Sequence, residues 1–220
     1  MRLALAIGNK NYSSWSMRPW VLLTEAQIPF EEIQLWFDSD ARVQGGERYS
    51  PTRQVPVLLI DSDPVWDSLA ICETLAELFP EKKLWPDDAR GRQIARSICA
   101  EMHAGFRNLR SAMPMNIRAR HPGKGMSPEV QEDIDRVFTL WRACRSAYGT
   151  GGDMLFGRFG IADAYYAPVV MRFVTYEVNL PPDMQRYVDA VRELGSVQAW
   201  IRDAVKETQF VAADEPYANA

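Results

Sequence analysis

Histidine and cysteine are scarce in this chain: two of the first and three of the second among 220 residues. Both histidines, His103 and His121, lie far in sequence from the serine cluster at residues 13–16, so no serine–histidine nucleophile is signalled. Cys72, Cys99 and Cys144 are odd in number and widely spaced. That excludes a disulfide framework and a cysteine-based zinc site. As small buried hydrophobes they fit a reducing, cytoplasmic setting. No apolar run approaches the roughly 18 residues of a membrane span. The stretch Leu3–Ile7 is too short for the core of a signal peptide, so neither membrane insertion nor export is expected. A net charge of −4 tells against nucleic-acid binding through bulk positive charge. No internal repeat or low-complexity segment is present.

What remains is the composition of a globular protein, 47% apolar and 25% charged, and long enough for one or two domains. The chain changes character near residue 80. Before it, strand and helix signals alternate. Residues 3–7 and 30–37 read as strands, with Ile33, Leu35 and Phe37 on one face. Residues 57–60 form a short apolar run before the turn Asp61-Ser62-Asp63, and 64–66 would be the returning strand. Ser16 is a candidate cap for a helix over 17–26, and Asp67-Ser68 open a helix that ends before Pro80. The order is β-α-β-loop-β-β-α. After residue 88 the strand signals stop. Ile94, Ile98, Met102, Phe106, Leu109 and Met113 step at the helical period and predict one long helix. Ser127-Pro128-Glu129 starts another, and further helices are predicted over 161–177, 182–194 and 196–207. The expected organisation is an α/β domain over 1–80, a linker at 81–88, an all-helical domain over 89–210 and a loose tail at 211–220.

Three segments of the first half carry candidate chemistry. Ser13, Ser14 and Ser16 place hydroxyl donors where a helix begins. A thiolate there would be stabilised by hydroxyl and helix dipole together, although a polar turn without chemistry reads equally from the residues. Val55-Pro56 precedes a strand. On local grounds an ordinary trans proline is expected; a cis bond would turn the Val55 backbone outward to pair with an extended peptide. Asp67-Ser68 mark a second helix N-terminus, suited to an anion or simply to capping. The 13–16 loop contains no cysteine, which tells against glutaredoxin-type thiol transfer.

In their order and spacing these segments resemble the cytosolic glutathione transferases. The matching pieces are Ser13-Ser14-x-Ser16-x-Arg18, Gln54-Val55-Pro56-Val57-Leu58, Asp67-Ser68-Leu69-Ala70-Ile71, Leu84-Trp85-Pro86-Asp87-Asp88, Gly160-Ile161-Ala162-Asp163 and Ser196-Val197-Gln198-Ala199-Trp200. They span nearly the whole chain and look most like the serine-type zeta, tau and theta classes. The resemblance implies the glutathione-transferase fold, a thioredoxin-like α/β domain followed by an all-α domain, with a cis bond at Val55-Pro56. It implies glutathione as co-substrate, with no metal. Ser13 would contact the sulfur, with Ser14 and Ser16 as rivals. Val55 and Pro56 would meet the cysteinyl backbone, Asp67 and Ser68 the γ-glutamyl end, and Gln54 the glycyl end. Asp163 would steady the helical domain. The zeta class has cysteine where this chain has Trp15, a departure that tells against that class's isomerase chemistry. The resemblance also implies a homodimer, a cytoplasmic detoxifying role and, as second substrate, a small electrophile that glutathione is joined to, or is used to reduce or isomerise. The alternative is a non-catalytic binding or scaffold module of the same fold.

For the second substrate the residues offer Trp15, Arg107, Met113 and Met115. Residues 90–120 hold seven arginines and a single acid, Glu101, a stretch of +6. It reads as a positive cleft for anions or as a solvated helix face. Methionines suit an adaptable pocket, or a plain core.

Overall fold

The computed structural model describes residues 1–218. Its first half is a four-stranded sheet in the order β2-β1-β3-β4, formed by β1 (Leu3–Ile7), β2 (Glu31–Gln34), β3 (Val57–Ile60) and β4 (Asp63–Val65). β1 pairs parallel with β2 and antiparallel with β3, which pairs antiparallel with β4. All five residues of β1 are buried, the mark of a central strand covered on both faces. Pro64, which has no N–H to give a ladder, sits in the edge strand β4. Helices α1 (Ser14–Glu25) and α2 (Ser68–Leu78) pack against each other beside this sheet.

The second half is helical: α3 (Ala89–Ala104), α4 (Arg107–Ala112), α5 (Pro128–Tyr148), α6 (Ile161–Thr175), α7 (Pro182–Glu193) and α8 (Gly195–Ala204). α6 is buried almost all round, from Ile161 through Phe173, as expected of a helix at the centre of a bundle. It packs on α1, and the apolar core runs unbroken from the sheet into the bundle. Trp200 of α8 stacks edge-on against Trp20 of α1 at 5.2 Å and donates its indole N–H to the Lys10 carbonyl at 2.8 Å.

Asp163 ties the start of α6 to its surroundings. Its buried carboxylate accepts the N–H groups of Gly160 and Leu155, each at 3.0 Å, and the Tyr187 hydroxyl at 3.1 Å. The Gly160 bond offsets the absence of a capping side chain at that position.

Several expectations are corrected. The long helix over 94–113 is two helices, α3 and α4: Phe106 adopts a left-handed backbone with φ of 55°, which apolar periodicity does not register. β2 stops at Gln34 rather than Phe37. α1 begins at Ser14 with Ser13 as its N-cap residue, so Ser16 lies inside the first turn rather than capping it. The tail is docked rather than loose through its described part, with residues 219 and 220 outside the described residues. Val211 is buried, the Ala213 N–H bonds the Ser39 carbonyl at 3.1 Å, and the Tyr217 hydroxyl donates to the Ala112 carbonyl at 2.8 Å. Isolated anchors of this kind leave no periodic trace in a short sequence.

Candidate active site

A cleft of about 850 Å³ lies where the two halves meet. The N-terminus of α1 opens onto it through Ser13 and Ser14. Ser13 donates its hydroxyl to Ser16 Oγ at 2.8 Å, and Ser16 Oγ also accepts the Gly8 N–H at 3.1 Å. Ser16 is fully buried and does not line the cleft, so of the three serines Ser13 and Ser14 face it. Gly8 beneath them has no room for a side chain, since a Cβ there would run into the Phe37 ring. Ser14 Oγ accepts from the Arg172 guanidinium at 3.2 Å and keeps its own proton to give.

Gln54, Val55 and Pro56, on the loop leading into β3, line the same cleft, and the Val55–Pro56 peptide is cis, against the local expectation. Asp67 and Ser68 bring a second helix N-terminus to it. Asp67 Oδ1 accepts the Leu69 N–H at 3.1 Å, the helix cap read from the sequence. Its other oxygen lies 3.2 Å from His103 Nε2. Ser68 is buried, and its hydroxyl shares a 2.9 Å hydrogen bond with the Tyr165 hydroxyl. Tyr165 is in turn 3.2 Å from His103 Nδ1. Thus Asp67, His103, Tyr165 and Ser68 form one chain of contacts that fastens the start of α2 to α3 and α6. Its Ser68 hydroxyl is spoken for, so what Ser68 offers a ligand is its backbone at the helix start.

Arg18 is buried between the Trp15 ring at 4.2 Å and the Tyr165 ring at 4.4 Å. Burial lowers its pKa, and the two aromatic faces partly replace lost water.

The opposite wall is helical. Trp15 stands at the seam, edge-on to His103 at 5.1 Å. Arg107, Arg110, Pro114 and Met115 line the cleft from α4 and the segment after it. Met113 does not: it is fully buried in the core, where its carbonyl accepts from Arg172 Nε at 2.9 Å. Phe106, Leu109 and Met113 keep the apolar spacing across the break, and all three are buried. Arg172 from α6 and Asp214 from the docked tail complete this wall.

Sequence reasoning passed over His103, Tyr165, Arg172 and Asp214. Arg172 left a signal, a lone charge in the last turns of an otherwise apolar helix. His103 and Asp214 left none, because tertiary packing brings His103 to Asp67 and Asp214 to the cleft.

Residues 12–78 match the model of the glutathione S-transferase N-terminal domain, and residues 127–203 that of the C-terminal domain. The chain belongs to the glutathione S-transferase superfamily. It is 28% identical over 174 residues to maleylacetoacetate isomerase of Rattus norvegicus, covering 77% of this chain and 78% of the relative. It is 22% identical to glutathione S-transferase Z2 of Arabidopsis thaliana, across 91% and 92%. A glutathione transferase homolog from Burkholderia, crystallised with bound glutathione, superposes with a TM-score of 0.70 at 25% identity, covering 94% of this chain and all of that one. The thioredoxin-like first half and helical second half are the family's fold.

Proposed function

We propose that this glutathione transferase binds glutathione along the first wall of the cleft and activates its thiol with the Ser13 hydroxyl at the N-terminus of α1. The observation that carries the reading is the convergence on one cleft of two helix N-termini, at Ser13 and Asp67, with Val55 beside them. In this arrangement the Val55 backbone pairs with the cysteinyl residue of glutathione, with Pro56 beside it. Asp67 receives the γ-glutamyl ammonium, the Ser68 backbone N–H the γ-glutamyl carboxylate, and Gln54 reaches the glycyl end. The electrophile enters from the helical side, against Trp15 and Met115. The thiol proton leaves to solvent; as the thiolate forms its sulfur–carbon bond, the electrophile's leaving group departs with the bonding pair, or, in an addition, the electrophile's π bond breaks and its pair takes a proton from solvent. The protein acts in the cytoplasm as a homodimer that detoxifies small electrophiles, as family resemblance implies.

The energetics suffice without a metal. A free thiol titrates near 8.5, and lowering that by two units requires about 2.7 kcal/mol. A hydrogen bond to a charged group supplies about 1.5–3 kcal/mol and a helix N-terminus about 0.3–1 kcal/mol.

The test is to titrate the ultraviolet absorbance of the bound thiolate against pH. The bound thiol is expected to titrate about two units below the free one. In Ser13→Ala that depression is largely lost and turnover falls at least tenfold, while glutathione still binds. A depression kept in Ser13→Ala but lost in Ser14→Ala moves the role to Ser14. A bound thiol that titrates like free glutathione in the native protein points to a non-catalytic binding module.

A further inference from the structure

We propose that this enzyme does not require a free carboxylate at the glycyl end of its thiol substrate. It accepts glutathione capped there as a neutral ester or amide, with Gln54 meeting the polar atoms of the cap and Ala41 and Val43 its apolar part. This deepens the glutathione reading and rests on it for the placing of the tripeptide.

The charges of the cleft are unevenly placed. Among the described residues that line it, the cations are Arg107, Arg110 and Arg172, all from α4 or α6 on the helical wall. Around Gln54 the lining is Phe37, Ala41, Val43 and Thr52, none of them charged. Two close approaches bring these residues together. A Cβ on Gly46 would meet the Arg53 carbonyl oxygen at 2.7 Å and Val43 Cγ1 at 3.2 Å, so Val43 stands beside the residue before Gln54. A Cβ on Gly8 would strike both the Phe37 ring and Val55 Cγ2, so Phe37 stands beside the residue after it. Phe37 and Val43 are bridged as an antiparallel pair, with Ala41 in the turn between them. The hairpin at 37–43 thus borders the segment 53–55.

Cations are near in sequence but outside the cleft. Arg42 and Arg53 are exposed, and neither lines it. Arg42 stands 3.9 Å from Asp40, and Arg53 sits in a left-handed turn with φ of 59°. The polar groups that remain are neutral. Thr52 Oγ1 shares a 2.8 Å hydrogen bond with Ser50 Oγ and accepts the Gln54 N–H at 3.4 Å, so it serves the loop. Gln54 offers an exposed carboxamide, with two donors and an acceptor. Its donors suit the carbonyl oxygen of a carboxylate, an ester or an amide alike, and its acceptor takes an amide N–H. A carboxylate gains its advantage over the neutral forms from a matching cation, which this wall lacks. Against an apolar surface the charged group loses by shedding water, while an apolar cap gains by burial. The γ-glutamyl and cysteinyl parts are the same in both forms, so the wall at 37–54 sees only the difference at the glycyl end.

The test begins with calorimetric titration of the full chain with S-methylglutathione and its glycyl ethyl ester, thioethers that need no activated thiol. It is run at about 0.15 M salt, where long-range attraction to the helical wall is screened. The two Kd values are expected to agree within about threefold. Thr52→Lys, which sets a cation on the neutral wall at an exposed position, should make the acid at least fivefold tighter than the ester. Ala41→Lys should do the same if the change at 52 disturbs the loop. With 1-chloro-2,4-dinitrobenzene as electrophile, kcat/KM for glutathione and for its glycyl ethyl ester should likewise agree within about threefold in the native protein and diverge in Thr52→Lys. An ester bound more weakly than that overturns the proposal, and a gap that closes in Arg42→Gln or Arg53→Gln names the arginine that takes the carboxylate instead. A ratio unmoved in both lysine variants also overturns it, since the glycyl end then lies elsewhere. If neither thioether binds, the glutathione reading falls and the proposal with it. If both bind but the bound thiol of glutathione titrates like the free one, only the thiol activation by Ser13 falls.

Discussion

The two walls of the cleft are built in opposite ways. The first presents neutral groups, hydroxyls and backbone at two helix starts, with Asp67 its single charge, drawn from short runs at 13–15, 54–56 and 66–68. The helical wall presents guanidinium groups from residues 107, 110 and 172, with Asp214 from the tail beside them. A neutral, locally built wall suits a ligand that is always the same. A wall assembled from distant side chains can change one residue at a time without disturbing the backbone, which is why the proposed reading puts the choice of a second substrate there.

The helical wall depends on the start of α6, and the largest expected effect falls there. Asp163→Ala leaves the donors of Leu155, Gly160 and Tyr187 without their acceptor in a buried site. We expect a loss of about 3 kcal/mol, lowering the melting temperature by roughly 6–12 °C in a calorimetric scan. Burial pushes the Asp163 carboxyl up to about 6, against 3.8 for the free group. A raised pKa means the folded state holds the proton more tightly, so this contribution to stability is present below pH ~4 and is lost as pH rises through 6. The difference of about two units corresponds to ~3 kcal/mol. Urea unfolding at pH 4.5 and 7 should show that loss in the native chain and not in Asp163→Asn. An identical pH slope in both would remove Asp163 as its source.

On the other wall the matching change is Asp67→Ala. A charge-assisted hydrogen bond contributes about 1.5–3 kcal/mol, so the Kd for glutathione should rise roughly 10- to 100-fold. Fluorescence titration measures it. An unchanged Kd would mean that Asp67 serves only as the cap of α2 and the partner of His103.

The same contrast explains what the sequence made legible. Ser127-Pro128 starts α5 and Asp67 caps α2, because capping is decided within three or four residues. Of the first wall only the cap at Asp67 was legible in that way; the serines and Val55-Pro56 stood out through the family resemblance, and the cis bond ran against the local expectation. The break at Phe106 was not, since its left-handed backbone interrupts no apolar period. Met113, offered either to the second-substrate pocket or to a plain core, belongs to the core. The docking of Val211 and Tyr217 depends on sites more than a hundred residues away, and nothing in the composition of the tail reports it. Arg172 announced itself as a charge in an apolar helix, but only packing against Ser14 and Met113 shows where the charge is used.

Ser16→Ala gives the smallest effect and tests whether the first wall is as local as it looks. Ser16 does not reach the cleft, yet its oxygen takes the Gly8 N–H at 3.1 Å and lies 2.8 Å from Ser13 Oγ. Without ligand, Ser13 donates to Ser16. When a thiolate arrives, the Ser13 proton must turn towards it, and Ser16 can then donate to the oxygen that Ser13 has freed. Gly8 N–H, Ser16 and Ser13 would all point the same way, each bond polarising the next. Removing the middle member withdraws one hydrogen bond's worth of support, about 1 kcal/mol. The bound thiol should then titrate somewhat less than one unit higher than in the native protein, with turnover down about fivefold and the Kd of glutathione little changed. Ser16→Thr, which keeps the hydroxyl, should recover most of the pKa depression. A thiol pKa unmoved in Ser16→Ala would show that Ser13 and the α1 dipole act alone.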